Sequence, residues 1–156
     1  MRREFFDLMS DEMEKDKDIY LLFLGLGYPR YAELHQKFPD RALNLEASEQ
    51  AGLDIATGLA LEGKKPFVYT ITPFYWRAAE TIRTYISHER IAVRMCGAGR
   101  YSDYKEDGFS HDGSDIGRLM GDLDIECYWP KDVDDMRQTV RGMIETNKPC
   151  FLSLRR

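Results

Sequence analysis

The stretch NLEASEQAGLDIATGLALEGKKP, residues 44–66, decides how the rest of the chain is interpreted. Its first two residues end a short apolar run, Ser48 can cap a helix with its hydroxyl, and Gly63 predicts the end of that helix. Glu49 therefore lies in the first helical turn, just past a strand, where open parallel sheets form their ligand crevices. We interpret Glu49 as a functional group. The alternative is that this acid only complements the helix dipole.

A stripe of small residues follows on the same predicted helix. Gly52, Ala56 and Ala60 recur every four residues and so form one helix face with almost no side-chain bulk. Glycine within a helix is unfavourable by roughly 1 kcal/mol relative to alanine, which makes close packing the better reason for its presence. We expect this stripe to lie against another protein surface, most simply a symmetry-related copy of the chain.

Helices and strands alternate along the sequence. The predicted strands cover residues 19–24, 42–45, 66–71, 91–96, 125–129 and 150–154. The predicted helices cover residues 3–15, 31–38, 48–61, 75–87, 115–121 and 132–146. Helices between buried strands imply right-handed crossovers, and thus an α/β fold with a doubly wound, mostly parallel sheet and helices on both faces. We expect a single domain over residues 1–156.

Composition limits the classes of function. A chain of 156 residues, 43% of them hydrophobic, can bury one core. A net charge of −5 argues against nucleic acid or an anionic membrane as a partner, and no run of about 18 apolar residues predicts a membrane span. The three cysteines have no metal-type spacing and are expected to be reduced. We predict a soluble, cytoplasmic protein without a metal site of its own.

Two further motifs accompany the Glu49 helix. They are TPFYWRAAETI at residues 72–82 and EDGFSHDG at residues 106–113. In this order and spacing, the motifs resemble the pyrimidine-binding domain of the transketolase family of thiamine diphosphate enzymes. The resemblance is strongest to the branch that contains 1-deoxyxylulose-5-phosphate synthase and the split, two-gene transketolases. It covers about residues 2–156, which is one whole domain.

The resemblance implies thiamine diphosphate as the cofactor and assigns roles around its aminopyrimidine ring. Activation of this cofactor requires a protein carboxylate that hydrogen-bonds N1′ of the ring, and Glu49 matches that catalytic glutamate. Phe74 matches the aromatic side chain that stacks on the ring, and Arg77 matches an arginine near the pyrimidine. The alternatives are a plain core residue for Phe74 and a solvated helix residue for Arg77.

The resemblance also implies substrate contacts outside the cofactor site. Asp107 and His111 match residues that point at the hydroxyls and carbonyl of a sugar, and a histidine suits proton movement near neutral pH. Arg156, in the terminal LRR, matches a phosphate-binding arginine. The alternatives are a solvated loop histidine and an arginine that serves only solubility. Asp107 and His111 lie in a loop, residues 97–114, that is longer than usual and so typical of functional or mobile segments.

The sequence departs from the family pattern in three places. Gly25-Leu26-Gly27 stands where many transketolases have an aspartate, and Glu46-Ala47 replaces the usual Gly-Ile before the catalytic glutamate. Glu46 either acts on Glu49 electrostatically or faces water. No GDG motif followed by Asn-Asn occurs, so we expect the diphosphate and Mg²⁺ to be held by a separate subunit.

The resemblance therefore implies the pyrimidine-binding subunit of a split transketolase-like enzyme. Such an enzyme would transfer a two-carbon ketol unit between sugar phosphates or nucleotide-linked sugars, at an interface with a diphosphate-binding transketolase subunit. The chain is expected to form a homodimer alone or a heterotetramer with that partner. One alternative is a subunit of a carboligase that decarboxylates a 2-oxoacid, as 1-deoxyxylulose-5-phosphate synthase does. Another is a non-catalytic interaction subunit that retains the fold.

Overall fold

The computed structural model describes residues 1–156 as a six-stranded parallel sheet in the order β2-β1-β3-β4-β6-β5. The strands are β1 Ile19–Phe23, β2 Ala42–Asn44, β3 Lys65–Ile71, β4 Arg94–Ala98, β5 Glu126–Tyr128 and β6 Cys150–Leu154. The α-helices are α1 Arg2–Lys15, α2 Tyr28–Lys37, α3 Glu49–Leu61, α4 Ala79–Thr81, α5 Ile116–Asp122 and α6 Val133–Glu145. The predicted doubly wound α/β class is confirmed.

Each face of the sheet has its own apolar core. Alternate strand residues such as Leu21 and Phe23 pack with α1 and α6 on one face, whereas Leu22 and Val68 pack with α3 and α5 on the other. The sheet is thus covered on both sides, which explains why its strands are almost continuously apolar. From β1 the chain moves outward to β2 and then returns to β3 on the other side of β1. This reversal places a crevice at the carboxyl ends of the strands.

The segment predicted as one helix over residues 75–87 is a composite. It begins earlier, with 3₁₀ turns at Thr72–Ala78, continues through the short α4, and ends in a π-helix at Ile82–His88. Pro73 occupies the first turn, where its missing N–H costs no hydrogen bond. Because the helix begins directly after β3, Phe74 and Arg77 lie on its first turns, at the carboxyl edge of the sheet.

Two other boundaries differ from prediction. Helix α2 begins at Tyr28 rather than at residue 31, because Gly27 adopts a left-handed φ of 74° at the N-cap and Pro29 fits the first turn. Strand β4 pairs over Arg94–Ala98 rather than over residues 91–96, because its ladders to β3 and β6 begin only at Arg94. Prediction from apolar runs therefore missed where pairing starts.

The expectation that the small-residue stripe faces another protein is wrong for its buried part. Gly52 packs on Leu24, and a Cβ at Gly52 would lie 2.4 Å from Leu24 Cδ2. Ala56 is fully buried in the core between α3 and the sheet, while Ala60 is only partly buried. The small side chains let α3 approach the strands of its own domain.

Candidate active site

Glu49 is the first residue of α3 and lies at the carboxyl edge of the sheet, just after β2. Its side chain is only 2% exposed, although a carboxylate is normally solvated. Ser48 occupies the N-cap position, but its hydroxyl donates to the Leu45 carbonyl and does not cap the helix, contrary to prediction. The buried carboxylate therefore depends on another side chain for compensation.

Arg77 supplies that compensation and joins Glu49 to Phe74. Arg77 Nη1 donates a hydrogen bond of 2.9 Å to Glu49 Oε1. The Arg77 guanidinium carbon also lies 3.9 Å from the centre of the Phe74 ring, which is within cation–π distance. The Arg77 side chain is 51% exposed, so the ion pair has one buried and one solvent-facing partner. The three residues predicted to surround the pyrimidine are thus brought together in space.

His111 joins this cluster from the loop after β4. Its ring makes an edge contact with Phe74, with 5.2 Å between ring centres, and Ser110 Oγ lies 3.1 Å from His111 Nδ1. The turn between Asp107 and His111 requires Gly108, whose φ of 89° is unfavourable for other residues. Asp107 is exposed, and its carboxylate forms no hydrogen bond or ion pair. Of the two predicted substrate residues in this loop, only His111 contacts the Glu49 cluster.

A cavity of about 600 Å³ opens beside Phe74 and Arg77. Its other lining residues come from the same 3₁₀ turn and from the loop after β4: Pro73, Trp76, Phe109, Ser110, Asp112, Ser114 and Asp115. Trp76 Nε1 donates to Asp115 Oδ1 at 3.1 Å and so fixes one wall. Phe109 is 94% exposed. The size of the cavity suits a small organic molecule or ring system.

A group of arginines lies along the same edge of the sheet. Two arginines, Arg2 and Arg156, lie over the Tyr104 ring. The distance from the guanidinium carbon to the ring centre is 5.7 Å for Arg2 and 4.9 Å for Arg156. Arg156 is held by Asp103, which accepts from the Arg156 backbone N–H at 2.9 Å. The predicted residue Arg156 therefore has a second cation beside it, Arg2. Arg2 precedes the predicted helix over residues 3–15 and belongs to no motif in the sequence.

Arg100 is a second arginine that sequence reasoning missed. It is separated from the end of β4 by Gly99 and is 5% exposed, with Nη2 donating to the Ser153 carbonyl at 2.6 Å and Nε to Ser153 Oγ at 3.3 Å. Burial lowers the pKa of Arg100, and the positive charge of Arg155 lowers it further. The signal in the sequence was an arginine shortly after an apolar strand.

Glu46 faces water, which decides between the two alternatives for this residue. Its carboxylate accepts from Tyr28 Oη at 2.8 Å and from Asn44 Nδ2 at 2.9 Å. The hydrogen bond to Glu46 raises the pKa of Tyr28. Glu46 has a left-handed φ of 55°, a conformation that favours glycine and costs a larger residue about 1 kcal/mol. This conformation accounts for the glycine usual at this position in the family pattern.

The remaining titratable groups give no further site. No group of three or more His, Cys, Asp or Glu side chains is arranged to hold a metal ion. The cysteines are all free, and burial raises the pKa of Cys150 to about 12 and of Cys127 to about 11. No helix is long and apolar enough to cross a membrane.

Comparison with known proteins gives a consistent result. The family model for the transketolase pyrimidine-binding domain matches residues 1–156. Over 121 residues the chain is 30% identical to 1-deoxy-D-xylulose-5-phosphate synthase of Clostridium perfringens, covering 77% of this chain and 19% of that protein. It is 28% identical over 127 residues to one subunit of the apulose-4-phosphate transketolase of Actinobacillus succinogenes, covering 80% of this chain and 41% of that one.

The fold is also found in solved structures. A split-gene transketolase described as an inactive beta4 tetramer superposes with a TM-score of 0.85 at 24% identity, covering 99% of this chain and 51% of that chain. At this identity the superposition supports the fold alone. The chain spans only part of the length of all three proteins, between 19% and 51%.

Proposed function

Because this chain belongs to the transketolase family as a pyrimidine-binding domain, we propose that it is the pyrimidine-binding subunit of a split thiamine diphosphate-dependent enzyme. This enzyme transfers a two-carbon ketol unit between sugar substrates. The observation that carries the proposal is the cluster of Glu49, Phe74 and Arg77: a buried carboxylate beside a partly exposed aromatic ring at the carboxyl edge of the sheet. A planar heterocycle can use both groups, because the carboxylate can hydrogen-bond its ring nitrogen and the aromatic ring can stack on its face.

The residues fit one half of the cofactor. Glu49 offers a desolvated carboxyl oxygen, and Phe74 offers a ring surface next to a cavity of about 600 Å³. They do not fit the other half, because no group of three or more His, Cys, Asp or Glu side chains is arranged to hold the Mg²⁺ that accompanies the diphosphate. The proposal therefore assigns the metal and the diphosphate to a second, diphosphate-binding subunit. Bound across both subunits, the cofactor would supply a nucleophilic carbon for the ketol group.

In this mechanism the residues of the chain move protons and orient the reactants. Glu49 holds a proton at the ring nitrogen, and its burial strengthens that hydrogen bond. His111, held against Phe74, exchanges a proton with the oxygen of the transferred group. Asp107 is a solvent-facing acceptor for sugar hydroxyls, and it would turn toward the substrate only when the active site is complete.

The arginine group along the same edge supports the proposed substrate class. Arg2 and Arg156 share Tyr104, and Arg100 lies buried after the neighbouring strand. None of the three forms an ion pair with a side-chain carboxylate. Guanidinium groups match the geometry of phosphate oxygens, and Arg2 and Arg156 are the two of the three that are not buried. We assign this edge to the phosphate of a sugar phosphate or nucleotide-linked sugar.

The need for a partner is supported by a relative that is itself a subunit. The Actinobacillus succinogenes relative is named as one subunit of a transketolase, and this chain corresponds to 41% of its length. We propose a heterotetramer with the diphosphate-binding subunit, and a homodimer when that partner is absent. The proposed location is the cytoplasm.

One observation favours a second candidate reaction. The Clostridium perfringens relative, 30% identical to this chain, is named 1-deoxy-D-xylulose-5-phosphate synthase. A related activity would join an aldehyde to the fragment left when a 2-oxoacid loses CO₂. Donor assays with the reconstituted pair separate the two reactions, because ketol transfer consumes a ketose phosphate and the carboligase releases CO₂.

Calorimetry tests the shared cofactor site. The chain and a diphosphate-binding partner, encoded beside it or recovered by co-purification, are titrated with thiamine diphosphate and Mg²⁺, separately and together. We expect binding at least about 100-fold tighter by the pair than by either chain, because each chain supplies only part of the contacts. Tight binding by the lone chain would refute the split site. A pair that assembles but binds no cofactor would support the non-catalytic interaction subunit instead.

A further inference from the structure

Arg77 already occupies both contacts that the proposed function gives to an aminopyrimidine ring. Its Nη1 is 2.9 Å from Glu49 Oε1, and its guanidinium lies 3.9 Å from the centre of the Phe74 ring. A guanidinium is planar, presents N–H donors at its edge and stacks by its face on aromatic rings. An aminopyrimidine has the same three properties. Glu49 Oε1 and the face of Phe74 that Arg77 covers can therefore accept one of these groups at a time.

The two partners in the ion pair differ in their freedom to move. Glu49 is 2% exposed and is fixed at the start of α3, whereas Arg77 is 51% exposed and lies on a 3₁₀ turn beside the cavity. Arg77 can turn into solvent and keep its charge hydrated, whereas Glu49 cannot leave without disrupting the helix start. Any exchange at the carboxylate must therefore occur by movement of Arg77.

We propose that Arg77 is a latch that closes the pyrimidine site in the free chain and is displaced when the cofactor ring enters. This inference rests on the proposed function, because it takes Glu49 and Phe74 as the ring-binding groups. The latch keeps a buried carboxylate compensated while the site is empty, since an unpaired buried charge is strongly destabilising.

The latch has a measurable cost to ligand affinity. If the closed arrangement is favoured about tenfold over the open one, apparent affinity falls by that factor. A bias of this size agrees with one ion pair that has an exposed partner, together with one cation–π contact. Removing the Arg77 side chain should therefore strengthen binding of an aminopyrimidine by about tenfold.

The test uses the full chain alone and hydroxymethylpyrimidine, the aminopyrimidine half of thiamine, as the probe. Binding is followed by ligand-observed NMR and by the fluorescence of Trp76, which precedes Arg77 in the chain and lines the same cavity. The variants are Arg77→Ala, which opens the site, and Arg77→Gln, which keeps an amide donor in case the alanine variant is unstable. Arg118→Ala is the matched control, since Arg118 is 86% exposed and pairs only with Asp122. Glu49→Gln tests the proposed site itself.

The latch predicts tighter probe binding by Arg77→Ala and Arg77→Gln, no change for Arg118→Ala, and weaker binding for Glu49→Gln. Unchanged or weaker binding by both Arg77 variants, with binding still lost in Glu49→Gln, would overturn the latch but leave the proposed function standing. Probe binding that does not depend on Glu49 would remove the pyrimidine site and the latch together, and absence of binding by both Arg77 variants would overturn the latch. Thermal melting of each variant identifies any loss of folding.

Discussion

Replacing Glu49 by glutamine is the most direct test of the proposed chemistry. Glutamine keeps the size of the side chain and an oxygen that can accept from Arg77, but it has no carboxyl proton to share with a ring nitrogen. We expect exchange of the C2 proton of the bound cofactor to slow by roughly 10²- to 10⁴-fold, the range for loss of a general acid–base group. That range corresponds to about 3–5 kcal/mol of activation free energy.

The effect on folding should be much smaller, for reasons visible in the structure. Glu49 is 2% exposed, so burying its charge opposes folding, while its ion pair with the half-exposed Arg77 favours folding by at most ~1 kcal/mol. The neutral amide removes both effects. We therefore expect the free energy of unfolding to change by less than about 1 kcal/mol in either direction.

The assay is hydrogen–deuterium exchange at C2 in the reconstituted pair, with wild type, Glu49→Gln and Glu46→Gln compared. Glu46 is the matched control, because it is a carboxylate three residues away that faces water and is held by Tyr28 and Asn44. Equal exchange rates in wild type and Glu49→Gln would remove Glu49 from the mechanism. A Glu49→Gln variant that fails to fold would return the residue to a structural role at the helix start.

Three further predictions concern other parts of the chain. Ala56→Leu should reduce the free energy of unfolding by about 1–3 kcal/mol in urea denaturation, because Ala56 is fully buried under α3; unchanged stability would place this face at the surface after all. Arg94→Met should reduce the free energy of unfolding by about 3 kcal/mol or more, since buried Arg94 donates to the carbonyls of Met143 and Thr146 at the end of α6. A reduction below about 1 kcal/mol would show that water replaces these hydrogen bonds. Tyr28 should titrate above its usual pKa of 10.0 because Glu46 accepts its hydrogen bond, so this bond supports folding below that pH and is lost as pH rises through the raised value. Ultraviolet absorbance titration of Glu46→Gln should show the shift removed, whereas an unchanged curve would exclude the bond.

The sequence predicted those parts of the molecule that depend on local pattern. Apolar runs that alternate with segments of helical periodicity identified the six strands and the doubly wound sheet. The pattern of residues 44–66 placed Glu49 at the start of a helix. The 3₁₀ and π turns at residues 72–88 were missed because they depend on how Pro73 and the following turns pack against β3 and α3. The small residues of α3 suggested close packing correctly, but only the folded chain shows that Leu24 is the neighbour of Gly52.

The sequence identified part of the candidate site, and the residues that it missed were missed for a single reason. Glu49, Phe74, Arg77 and His111 were predicted through motifs, and the fold brings them into contact. Arg2 and Arg100 carry no motif, and they belong to this edge only because distant segments converge on Tyr104 and Ser153. Such convergence depends on strand order, which local sequence does not specify.

The distribution of charge gives an independent argument for an anionic substrate. The chain has 27 acidic and 22 basic residues, yet Arg2, Arg100, Arg155 and Arg156 have no side-chain carboxylate as an ion-pair partner. Arg155 lies near enough to Arg100 to lower its pKa, so these like charges oppose one another. The carboxylates of Asp103 and Asp135 act in the opposite direction and raise the pKa of Arg100. Under the proposed function, the phosphate of the substrate would also oppose the repulsion between these arginines, and it would bind at the same strand ends as the Glu49 cluster.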